Sequence, residues 1–245
     1  MPVVALQGLR GGVGTTSLSA GLAWALRQLG ESVLVVEFSP ANQLGLHFNA
    51  PVSSSTGWAQ AELDGLPWHD QALRYTEGLD FLPFGRLSVA ERGRWLAHHQ
   101  QHPDRWPEYL RQLSGSGAYR WILMDVAADE HVCTAHWLEA ADAHLCVLTA
   151  DANSHVRLHQ QLLSPQARLL LNQFSVESRL QQDLHQFWRQ THAGMLPLLI
   201  HHDEAVAEAL AAKQPVGEYS NGSLAADEIN TLASWCLVHV AGGRR

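Results

Sequence analysis

The sequence predicts an α/β fold: a single doubly wound domain over residues 1–245, with a mostly parallel sheet flanked by helices. Three observations predict it. Short apolar, β-branched runs alternate with stretches of helical periodicity along the chain. A glycine-rich turn stands at the first strand–helix junction. Apolar residues make up 46% of the 245 and charged residues 16%, a balance that buries a core and excludes a disordered chain.

Residues 3–6 are an apolar run that reads as a buried strand, and residues 8–14 are the glycine-rich turn. From 16 to 29, Leu18, Leu22, Ala25, Leu26 and Leu29 recur at helical spacing, and Gly30 stands where a C-cap belongs. Residues 32–38 form the next strand, which ends before Pro40. Strand, glycine loop, helix and strand make a βαβ unit, which implies a parallel pair with a right-handed crossover. Further strands are predicted at 79–82, 121–124, 143–148, 168–171 and 196–200. Helical patterns lie at about 58–75, 105–114, 131–141, 154–164, 177–193, 203–212 and 225–240. Residues 86–107, rich in His, Arg and Trp, read as a surface helix or loop with a partner-binding role. No repeat, linker or low-complexity tract divides the chain.

A net charge of −8 argues against coating DNA or an anionic membrane by general basicity, because both need excess Lys and Arg. Cys133, Cys146 and Cys236 are too few and too scattered for a disulfide framework. The amino terminus lacks the charged leader and long apolar stretch of a signal peptide, and no window has the length of a membrane-spanning helix. A cytoplasmic location is the expectation. The final helix ends in a short Gly-Gly-Arg-Arg tail, too little basic for direct membrane insertion.

The segment Gly8-Leu-Arg-Gly-Gly-Val-Gly-Thr-Thr-Ser17 lies where a phosphate-binding loop belongs. Its glycines, among them Gly11, Gly12 and Gly14, let successive backbone N–H groups cradle anionic oxygens, and the helix amino terminus adds partial positive charge. A hydroxyl after the last glycine can coordinate Mg²⁺, and Thr16 occupies that place. A glycine turn without a ligand is the simpler alternative, but strand, glycines and helix in this order are the context the motif requires.

Arg10-Gly-Gly-Val13-Gly-Thr15-Thr16-Ser17 resembles the deviant phosphate loop of the MinD/ParA P-loop ATPases, KGGxGK[ST][ST]. In that family the first lysine reaches across a dimer interface to the partner's phosphates, and the second is the ordinary phosphate-loop lysine. Here they are Arg10 and Thr15. Arg10 keeps a cation with a bidentate fork. Thr15 does not, which weakens both binding and transition-state stabilisation. Glu37-Phe-Ser39-Pro40 is similar to the family's acidic pair. The resemblance implies a Mg²⁺–water contact for Glu37 and puts Ser39 where the catalytic Asp stands. A serine is no carboxylate base, so hydrolysis is expected to be slow or absent.

Asp125, ending the run 121–125, resembles the aspartate that holds Mg²⁺ through water. Asn172 resembles the asparagine that reads the adenine edge. The stretch 196–216 follows the pattern IPxDxxxxEAxxxGxPV and makes His201, His202 and Asp203 candidate neighbours of the base. Segments 8–17, 82–85, 151–161 and 201–219 together look most like the BcsQ family, MinD-like proteins of bacterial cellulose secretion. That resemblance implies ATP and Mg²⁺ as cofactors and a homodimer across ATP. It also implies a small helical partner (BcsR), a regulator (BcsE), and recruitment to the inner-membrane cellulose synthase.

Other constellations are weaker. His131-x-Cys133-x-x-His136 does not share one helix face and has no fourth ligand. Arg86 to Arg94 reads as a charged face rather than a nucleic-acid surface. Most of the nine tryptophans are expected in the core. The leading function is an ATP-dependent dimerising scaffold or regulator, at most a slow ATPase. The alternatives are a turning-over positioning ATPase, which Ser39 and the negative charge oppose, and a nucleotide-free degenerate scaffold, which Thr15 favours. A cluster-carrying redox relative needs paired cysteines that the sequence lacks.

Overall fold

The computed structural model describes residues 1–128, 132–161, 163–164 and 166–241, with backbone alone at 132 and 133. Its eight strands form one sheet in the order β3-β4-β2-β5-β1-β6-β7-β8. The strands are β1 (Val3–Gly8), β2 (Val33–Glu37), β3 (Leu73–Thr76), β4 (Leu79–Leu82), β5 (Trp121–Val126), β6 (Ala143–Leu148), β7 (Ala167–Phe174) and β8 (Met195–His201). All neighbours pair in parallel except β3 with β4. The central strands β1, β2 and β5 are buried at every position, as a sheet covered on both faces requires. Strand β1 lies between β5 and β6, so the order reverses there and opens a crevice outside the carboxyl ends of the strands.

Helix α1 (Thr15–Gln28) packs one face of the sheet with α10 (Leu224–Cys236) and α9 (Val216–Tyr219). The opposite face is covered by α2 (Trp58–Leu63), α3 (Val89–Gln101), α4 (Arg105–Ser116) and α5 (Val132–Glu139). Beyond β6, α6 (Ala152–Gln160) and α7 (Arg179–Thr191) enclose a third cluster, around Leu148 and Trp188. Helix α8 (Glu204–Ala211) follows β8. Seven tryptophans are buried, which bears out the core reading, and Trp24 and Trp235 are partly so.

One expectation is corrected. The helix expected over 58–75 stops at Leu63, and β3 runs antiparallel to β4 where its second half was expected. Gly65, at φ +68°, and Pro67 end the helix, because the residue before a proline is pushed out of the α region. The stretch 86–107 forms the surface helix expected there, more than half of it exposed, but one face of that helix is core. Helix α3 begins in a reciprocal capping box between Ser88 and Glu91 and buries Trp95 and His99. There His99 Nε2 meets Glu62 at 2.7 Å, and Trp58 and Trp106 pack edge-on 4.7 Å apart. Of the His131–Cys133–His136 pattern, His131 and the Cys133 side chain lie outside the described residues, as do Asp129 and the tail 242–245. No cluster able to hold a metal ion through His, Cys, Asp and Glu occurs among the described residues.

Candidate functional site

Strand β1 delivers the chain into the glycine loop, and α1 begins at Thr15 behind it. Gly14 has φ +86°, and a Cβ there would come within 2.6 Å of Asn172 Nδ2, so backbone conformation and space both demand glycine. Helices α3, α6, α7, α8 and α10 each have a Ser or Asp side chain capping the first turn. Helix α1 has neither a side-chain cap nor an acidic residue in its first turn. Its first amides have no carbonyl one turn back, so they remain available to an anion. They border a cavity of about 440 Å³ lined by Arg10, Gly11, Gly12, Gly14, Thr15, Thr16 and Ser17, and on the far side by Ser39, His47 and Asp125. Val13 is buried behind the loop.

Asp125 is 1% exposed. Its Oδ1 accepts from the Ser19 hydroxyl at 3.2 Å, while Oδ2 is buried with no hydrogen-bond partner among the described residues. Burial pushes its pKa up to about 6, against the pull of the Thr16 and Ser19 hydroxyls. An orphaned carboxylate oxygen beside Thr16, facing an uncapped helix start, suits a polyphosphate with a hydrated divalent cation. Glu37 pairs in register with Asp125 on the neighbouring strand, but it does not line the cavity. Its Oε1 accepts from the backbone N–H groups of Gln43 and Leu44 at 2.6 and 3.0 Å. Burial, and then the nearby Asp125, raise its pKa to about 8. In this structure Glu37 pins the loop after β2.

Arg10 is held on its own chain. One guanidinium nitrogen donates to Thr149 Oγ1 at 2.9 Å and to Asp151 Oδ2 at 2.5 Å, and the other donates to the Gly11 carbonyl. Asp151 also caps α6 through Ser154 N–H. Burial alone would raise its pKa, but hydrogen bonds from Thr149 and Arg10 prevail and hold it at about 2. Thr15 turns its hydroxyl back over Gly8 and supplies no cation.

Asn172 spends its amide N–H on the Val13 carbonyl at 2.7 Å, and Gln173, at φ +56°, reaches the Gly12 carbonyl at 3.4 Å. Both brace the loop from behind. The histidines and aspartate expected near a base do not line this cavity at the glycine loop. His201 Nδ1 meets Glu228 at 2.5 Å, and His202 is exposed. Asp203 caps α8 through Ala205 N–H and also accepts from Ala225 N–H in α10. Sequence reasoning missed Asp151, although its capping position ahead of Ser154 was a readable signal. It also missed His47, whose ring is 3% exposed and lies 3.4 Å from the Ser17 hydroxyl. Burial lowers the His47 pKa to about 4. No sequence pattern marks it.

The sheet order, glycine loop and Asp125 define a P-loop protein of the MinD/ParA fold. The chain superposes on the septum site-determining protein MinD of Pyrococcus horikoshii, complexed with Mg-ADP, with a TM-score of 0.76 at 18% identity over 100% of this chain and 98% of that one. A ParA family ATPase of Chlorobium tepidum also matches, with a TM-score of 0.76 at 21% identity over 95% of this chain and 98% of that one. The sequence is 49% identical to the cellulose biosynthesis protein BcsQ of Escherichia coli K12, across 99% of this chain and 96% of that protein. The family model described as cellulose biosynthesis protein BcsQ matches residues 1–237. The chain belongs to the BcsQ family of cellulose biosynthesis proteins. Among the described residues no helix is long and apolar enough to cross a membrane.

Proposed function

We propose that residues 1–245 act as one P-loop domain that binds ATP and Mg²⁺ and dimerises across the nucleotide. The dimer serves as a scaffold or regulator of the inner-membrane cellulose synthase, with slow or absent hydrolysis. One observation carries the reading: a single cavity holds both an uncapped helix amino terminus behind Gly12 and Gly14 and a buried, unpartnered Asp125 oxygen. The loop amides and Arg10 are suited to the phosphates, and Thr16 and Asp125 to hydrated Mg²⁺. The cation, when bound, neutralises phosphate charge. A ligand bound only by the dimer shifts the assembly equilibrium by its differential affinity, and hydrolysis is not needed for that. Ser39, which lines the cavity, and Thr15 support slow turnover. Cytoplasmic location, recruitment by membrane-bound partners, and the partners BcsR and BcsE belong to the same proposal.

Thr15 favours a second reading, a scaffold that has dispensed with nucleotide. The mass of the purified protein in solution, with and without ATP and Mg²⁺, separates the two. A dimer that forms with ATP and not ADP, while phosphate release stays near background, supports the scaffold switch. A mass indifferent to nucleotide, with none co-purifying, supports the second reading.

A further inference from the structure

A second cavity, of about 220 Å³, lies under α5 and shares Ala128 with the phosphate cavity. Its floor comes from two adjacent parallel strands. Gln7 of β1 pairs in register with Cys146 of β6, and the period-two alternation of a strand puts His144 on the same face. His144 is 4% exposed, yet neither Nδ1 nor Nε2 has a hydrogen-bond partner among the described residues. A buried imidazole left without any partner costs stability unless something absent from the protein satisfies it. Leu9 and Leu138 contribute apolar wall, Gln7, Thr134, Gln161 and Ser164 contribute uncharged polar groups, and no Asp, Glu, Lys or Arg is among the described residues that line the space.

We propose that this cavity is a binding site for a small uncharged molecule that carries an amide or lactam edge on an apolar body, with His144 as its polar anchor. The chemistry of the wall sets that class. With no counter-charge among the described lining residues, an ionic ligand would be buried unpaired by them. Burial lowers the His144 pKa to about 4, so its neutral ring offers one donor and one acceptor. The two ring nitrogens point in different directions, so an amide edge, which carries both a donor and an acceptor, pairs with the one that faces it. Water is the competing occupant, and the space would take about seven molecules at liquid density. The leucine side chains give those waters no partner, whereas they pack against a ligand's apolar part. Cys146 stays a thiol because burial raises its pKa to about 12, so binding there is non-covalent. The site does not depend on the nucleotide reading.

The test uses the full chain with ¹⁵N-labelled histidine at neutral pH and uracil as the probe, a neutral lactam small enough for the cavity. The His144 ring signals are assigned by their loss in His144→Leu. Uracil is expected to shift them saturably. Ala135 is exposed at the mouth of the cavity, so Ala135→Trp covers the entrance without disturbing the core and should weaken the titration about tenfold or more. Ring signals that do not move up to the solubility of uracil would overturn the proposal in favour of water. Saturable shifts unaltered by Ala135→Trp, in protein of unchanged thermal stability, would overturn it by placing the probe elsewhere.

Discussion

At the scale of single residues, charge is scarce where the phosphate cavity needs it. Arg10 is the one Arg or Lys among the lining residues described, and Asp151 already pairs with it. Restoring the missing lysine with Thr15→Lys should tighten ATP binding by about tenfold or more, since a hydrogen bond to a charged group contributes about 1.5–3 kcal/mol. Calorimetric titration checks this, and phosphate release should stay near background because Ser39 still offers no base. His144 makes a different prediction. Its folded pKa of about 4 lies below the ordinary 6.5, so the unfolded chain binds the proton more readily. Its contribution to stability is full above pH 6.5 and is lost as pH falls towards 4, a cost of roughly 3 kcal/mol at most. Urea unfolding of His144→Leu should therefore show a shallower loss of stability over that window than the parent chain.

At the scale of elements, the site is held by ties between segments far apart in sequence. Asn172 at the end of β7 braces the glycine loop through Val13, and Glu37 at the end of β2 pins the loop that carries His47. Asp203 does the same for helices, capping α8 with one oxygen and bonding the first turn of α10 with the other. Asp203→Ala removes both contacts and should cost roughly 2 kcal/mol, or about 5 °C in melting temperature. Differential scanning calorimetry reads that shift. Because Asp203 does not line the phosphate cavity, ATP affinity should change less than about twofold.

At the scale of the whole molecule, the parallel sheet fixes where a ligand can enter, and the proposed dimerisation would fix what binding can do. If ATP assembles two chains, replacing Arg10 should weaken the dimer more than it weakens nucleotide binding to one chain. If Arg10 reaches across the dimer, the guanidinium leaves Asp151 for phosphate bound to the partner subunit. Analytical ultracentrifugation of Arg10→Ala with Mg²⁺ and ATP should show a monomer at concentrations where the parent chain is dimeric. A dimer of undiminished stability would leave Arg10 bound to Asp151 throughout.

The amino-acid sequence determined the sheet class, the place of the glycine loop and the acidic strand end at Asp125. Each rests on local pattern, apolar runs of period two or 3.6 broken by glycines, which neighbours in the chain suffice to define. It also carried the departures at Thr15 and Ser39, because absent chemistry is visible in a single letter. Tertiary structure alone decided that Glu37 bonds backbone amides and that Asp203 joins two helices. The same holds for the ion pair of Arg10 with Asp151 and for the orphaned ring of His144. These depend on which segments folding brings together, across separations of up to 141 residues for Arg10 and Asp151, and residue spacing along the chain does not encode such encounters. The edge strand β3 belongs with them. Its residues 73–76 fit a helical period as well as a strand, and the free hydrogen-bonding edge of β4 settled the choice.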